Sequence, residues 1–208
     1  MQQPDCFQVN PIYGFPQLSN ELYSSYGQPS ALCFCMHRGK RYLMIGTQQS
    51  VVLCIEIVHG RVESICAVLN SGERQNRYGP VTTMASWEKY LLVGFARGDV
   101  QLYEIGRKWE RLHHESQLHH SKVVQVLFIP SPSIEALTLD EGGVIYKHSF
   151  VVMSVMDKMV VRHQKDKIYK NGKIYHLRKE AVQPPQTSWW KNAKSMFTQE
   201  TKDTASVK

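Results

Sequence analysis

The chain has 208 residues, of which 42% are hydrophobic and 21% charged, with a formal net charge of +7. That length bounds one sizeable domain, and the balance is that of a globular rather than a disordered chain. No apolar run approaches the ~20 residues of a membrane-spanning helix, and the start MQQPDCFQVNPIYGF has neither the basic nor the apolar region of a secretory signal.

Residues 1–29 are rich in Pro, Gly, Gln, Ser and Tyr and lack periodicity, so they read as an extended N-terminal arm. Pro11–Pro16 fits such an arm or a short linear motif for a partner. From Ala31 to Ile57 the pattern changes to short apolar runs separated by polar turns, with Tyr42–Thr47 and Val51–Ile57 as strands. Arg61–Asn70 follows as a fourth, outer strand, and Ser71–Arg77 is a polar loop. The plan then repeats. Val81–Ser86, Tyr90–Phe95 and Val100–Ile105 are three strands, with Trp87-Glu88-Lys89 and Ala96-Arg97-Gly98-Asp99 as turns. Gly46 and Gly94 occupy matching places 48 residues apart, within the roughly 40–50 of propeller repeats. A third copy uses Val123–Ile129, Ile134–Leu139 and Gly143–Phe150, turning at Asp140–Gly143. A fourth, weaker copy is expected over Met159–Leu177, with Asn171-Gly172 as its hairpin turn.

The fold class is therefore all-β, a partial WD-repeat-like β-propeller of three to four blades over residues 30–180. Gly46, Gly94, Gly98, Gly142, Gly143 and Gly172 are expected at blade turns. Leu43, Ile45, Leu92, Gly94, Val126 and Leu137 are expected to be buried. Propellers close with typically 4–8 blades, so this repeat count predicts a piece of a larger propeller with exposed edges. After Pro184-Pro185, residues 181–208 read as a polar tail with one short helix over Ser188–Phe197.

Candidate chemistry is sparse. The five cysteines are an odd number with no C-x-x-C pair, which suits reduced thiols of a cytosolic compartment. Cys33 and Cys35 share one strand face and read as buried thiols or half of a metal site. His113, His114, His119 and His120 fall in RKWERLHHESQLHH, which reads as a loop between blades, with a metal site or a pH-sensitive surface as the alternatives, and His120 sits where WD-type repeats carry a histidine before the first strand. Asp99 and Asp140 are turn residues. Lys158, Arg162, Lys165, Lys167, Lys170, Lys173, Arg178 and Lys179 make Met153–Lys179 basic. That stretch is either an edge protected by lysines or a surface for RNA or anionic lipid. There is no Gly-x-Ser-x-Gly, P-loop, His-Glu-x-x-His or GxGxxG, so no enzyme, cofactor or small-molecule substrate is expected.

Tyr78–Thr82, Leu91–Gly98 with its GFARG turn, Val100–Ile105, Ile45–Thr47 with Val51–Ile57, and Leu139–Ile145 with Phe150 together resemble the vacuolar protein sorting-associated protein 8 family. The resemblance covers Gly27–Glu180. It implies a non-enzymatic propeller scaffold in a subunit of the class C core vacuole/endosome tethering complex (CORVET). Its partners would be the other tethering subunits and an endosomal Rab GTPase, and its place the cytoplasmic side of endosomal membranes. In that family the propeller is followed by an α-solenoid and a RING-type zinc domain, and these 208 residues contain neither. The alternatives are a WD-repeat scaffold of another pathway and a basic RNA- or lipid-binding module.

Overall fold

The computed structural model describes residues 24–72, 76–106, 109–155, 158–170 and 173–174. Three antiparallel sheets follow one another along them. The first has the order β1 (Pro29–His37), β2 (Lys40–Thr47), β3 (Val52–Val58) and β4 (Arg61–Leu69). The second is β5 (Val81–Trp87), β6 (Tyr90–Phe95), β7 (Val100–Glu104) and β8 (Glu110–Glu115). The third runs from β9 (Val123–Ile129) through β10 (Ile134–Asp140), β11 (Ile145–Val155) and β12 (Lys158–Lys170) to β13 (Lys173–Ile174). These are three consecutive propeller blades. The first strands β1, β5 and β9 are neighbours, and most contact between the sheets runs through them.

Each hairpin is short because its turn residues suit the twist of the strands. At Arg38-Gly39 both residues have positive φ, 50° and 76°, the combination of a type I′ turn that matches right-handed strand twist. The described residues of the stretch expected as a fourth copy, 159–170 and 173–174, do not start a fourth blade. As β12 and β13 they extend the third sheet, because β11 is 11 residues long and pairs along its whole length with β12. The polarity of β12 fits that position, since an outer strand exposes much of its surface.

Packing follows the two-residue alternation of strands. Met44, Val52 and Cys54 of the first sheet meet Val81, Leu91, Val93 and Phe95 of the second in one apolar seam. Leu92, Val100 and Leu102, on the opposite face of the second sheet, meet Val123, Val126, Ala136 and Phe150 of the third. The second sheet is thus covered on both faces, and all six residues of β6 are buried. Leu92, Gly94, Ile45 and Val126 are buried as expected, but Leu43 and Leu137 are half-buried. Their side chains point away from the second sheet, to faces on which no described strand packs.

Gly46 and Gly94 are not turn residues. They lie inside β2 and β6, where the next blade comes closest. A Cβ at Gly94 would stand 2.6 Å from Val123 Cγ1, and one at Gly46 would overlap Val81. Gly98 and Gly142-Gly143 do sit in turns, whereas Gly172 lies outside the described residues. The segment read as a loop around His113 and His114 is the strand β8. Cys33, Cys35, Cys54 and Cys66 are free thiols, and burial pushes all four up from the ordinary thiol value.

Leu92 is fully buried between two sheets. Leu92→Ala should therefore lower stability by about 2–5 kcal/mol, measured by chemical denaturation. A loss below about 0.5 kcal/mol, the range of surface changes, would contradict this packing.

Candidate functional site

The seam between the second and third blades carries a continuous chain of polar side chains. It starts at Asp140, at the end of β10. Asp140 Oδ1 accepts a hydrogen bond from Val144 N at 2.7 Å, closing the turn that follows. Its Oδ2 lies 3.1 Å from His119 Nδ1, although that nitrogen makes no aligned hydrogen bond. His119 Nε2 is 2.8 Å from Thr138 Oγ1, and the same hydroxyl is 2.9 Å from His148 Nε2. His148 Nδ1 is 2.9 Å from His163 Nε2. His163 Nδ1 faces Glu115 Oε2 at 3.3 Å, and His113 Nε2 faces the same oxygen at 3.4 Å. Lys165 holds the other oxygen of Glu115.

Ordinary sheet geometry assembles this chain. Thr138 and Asp140 alternate with half-buried Leu137 and Leu139 and face the second blade. His148 and Phe150 are two apart on β11 and share that face, and the register places His163 of β12 opposite Phe150. The rings of Phe150 and His163 stack at 4.7 Å. His113 and Glu115 are likewise two apart on β8. His119 is seated by the Gly98 turn. Gly98 has φ +86°, its carbonyl accepts from His119 N at 3.1 Å, and any Cβ there would collide with the His119 carbonyl.

Burial decides the charge of this chain. It lowers the pKa of His119 against the pull of Asp140, and holds that of fully buried His148 well below 6.5. Burial and the neighbouring His113 bring His163 down from 6.5 to about 4. Burial also lowers His113, against Glu115. The Glu115 carboxyl is pushed up by burial, but Lys165 outweighs this and holds it below its ordinary value. Near neutral pH the four rings are therefore uncharged. His113, Glu115 and His163 are the described residues whose donor atoms gather closely enough to hold a metal ion.

The four histidines grouped in sequence thus separate. His113 joins Glu115 and His163; His114 lies 3.0 Å from Asp99; His119 enters the buried chain; and His120 is exposed. The buried histidine ahead of β9 is His119, not His120. Thr138, His148 and His163 escaped sequence reading. They are far apart in sequence, and only the β10–β11–β12 register brings them together.

Among the described residues the basic stretch does not form one patch. Arg162 points to the face opposite Lys165 and Lys167, because strand side chains alternate. Lys165 is paired with Glu115, and the Lys167 ammonium lies 5.2 Å from the Tyr146 ring centre. Arg178 and Lys179, and the side chains of Lys158 and Lys173, lie outside the described residues, as do residues 1–23 of the arm, the tail and its helix. A different surface stands out on β1. Leu32, Phe34 and Met36 point to one side and are 63%, 71% and 68% exposed.

The family model described as the Vps8 beta-propeller matches residues 15–182 of the chain. A comparison with curated proteins found no match.

The buried neutral histidines give stability a pH dependence with a definite sign. His119, His148 and His163 bind protons less readily folded than unfolded, so the unfolded chain holds more protons below pH 6.5. Stability is fully present above that value and falls as the pH drops through 6.5 toward about 4. Urea unfolding should show a lower midpoint at pH 5 than at pH 7.5. Equal or greater stability at pH 5 would contradict a neutral seam.

Proposed function

Because the chain belongs to the Vps8 beta-propeller family, we propose that it is a non-enzymatic protein-interaction scaffold of a vesicle-tethering complex. It engages other subunits of the CORVET-type complex and an endosomal Rab GTPase, on the cytoplasmic side of endosomal membranes. The observation that carries this reading is the family match over residues 15–182.

The surface chemistry supports a protein partner. Leu32, Phe34 and Met36 form an apolar row on an edge strand, and large exposed apolar side chains grouped together mark interaction sites. Among the described residues no helix is long and apolar enough to cross a membrane. The basic-module alternative is less well supported. Its Lys165 is paired with Glu115, and its Lys167 rests on Tyr146.

Immobilised chain should retain tethering-complex subunits and an endosomal Rab in its GTP-bound state in preference to its GDP-bound state. Phe34→Asp should weaken subunit capture by about 2 kcal/mol or more, as at an aromatic hot spot, without lowering the melting temperature. Capture of neither class of partner, or capture unchanged by Phe34→Asp, would count against the reading.

A further inference from the structure

The polar chain between the second and third blades runs through Asp140, His119, Thr138, His148 and His163 to Glu115. At its outer end two imidazoles converge on one carboxylate oxygen, because His163 Nδ1 and His113 Nε2 both face Glu115 Oε2. Two imidazoles and a carboxylate are a donor set that zinc takes.

The spacing there suits a metal better than a hydrogen bond. The Glu115 Oε2 contacts at 3.3 Å to His163 Nδ1 and 3.4 Å to His113 Nε2 exceed the 2.7–3.2 Å of good N–H···O bonds. Ligand atoms at about 2.1 Å from a tetrahedral zinc ion stand about 3.4 Å apart. The three donor atoms lie within 4.8 Å of one another. His163 also has the outer support that metal-bound histidines use, its second nitrogen being held by His148. Side-chain exposures of 24% for His113 and 21% for Glu115 leave an entry path.

We infer that His113 Nε2, Glu115 Oε2 and His163 Nδ1 form a binding site for a divalent transition-metal ion of the zinc class. Two imidazoles and one carboxylate leave a fourth position for water. His113 and Glu115 come from β8 of the second blade and His163 from β12 of the third, so the ion joins the outer strands of two blades. Lys165 competes for the site through the remaining oxygen of Glu115. The inference stands independently of the tethering reading.

The test is calorimetric titration of the full chain with zinc chloride, alongside thermal unfolding with and without zinc and the absorption spectrum of the cobalt(II) form. Expected are a zinc-dependent rise in melting temperature, a cobalt spectrum without a thiolate charge-transfer band, and loss of both metal responses in Glu115→Gln and His163→Asn. Zinc affinity should fall at least the roughly 10–100-fold that even outer-shell changes cost. Lys165→Gln, at an exposed position, should bind zinc more tightly and serves if the histidine variant fails to fold. Four results would overturn the site. They are no zinc binding by the unaltered chain, binding unchanged in Glu115→Gln and His163→Asn, a thiolate band that places the metal on cysteine, and zinc affinity unchanged or weakened in Lys165→Gln.

Discussion

The whole architecture depends on how closely one blade can approach the next. That approach is made twice in the same way. In the first seam the Ser30 hydroxyl donates toward Gly46 O at 3.2 Å within its own blade and Val81 O at 2.7 Å in the next. In the second, Thr82 stands between Gly94 O and Val123 O. In both, a valine that opens the following blade lies over a glycine in the second strand of the preceding one. The hydroxyl ties two backbones where the sheets converge, and the glycine makes room. A side chain at either glycine would have to push the blades apart, because interiors at this density have no slack to absorb it.

Once the inner strands are locked, the two seams fill differently further out. In the first, Asn70, Gln101 and Tyr103 interlock. Asn70 Nδ2 donates to Gln101 Oε1 at 2.9 Å, and the Tyr103 hydroxyl donates to Asn70 Oδ1 at 2.7 Å. Amides and a phenol keep their protons across the ordinary pH range. In the second seam the same layer is built from histidines and carboxylates, whose protons are exchangeable. Apolar packing holds both seams together, and the second can also report acidity or a metal ion through its own side chains.

Much of the fold was legible because it rests on local signals. The β6 run Tyr90–Phe95 and the β9 run Val123–Ile129 have the limits their apolar residues imply, and the 48-residue repeat gives the blade order. The errors have one physical origin, contacts between elements. A glycine in an apolar strand looks like the end of the strand, yet Gly46 and Gly94 are set by a valine some 30 residues away. A polar strand such as β12 looks like a poor new blade, yet it is the outer strand of the old one. The histidines of β8 look like loop residues because their partners, His163 on β12 and Asp99 in the turn before β7, lie elsewhere in the chain. Of the candidate site, only its two ends were visible, as a His-rich stretch and a turn aspartate.

Gly94 is a packing residue for the following blade. A double-mutant cycle of Gly94→Ala and Val123→Ala measures it directly. Trimming Val123 opens the space that an alanine at 94 needs, so the double variant should be more stable than the sum of the single losses predicts, by about 0.5–3 kcal/mol. Strict additivity, within about 0.3–0.5 kcal/mol, would show that the two residues do not meet and that the blades are not stacked in this way.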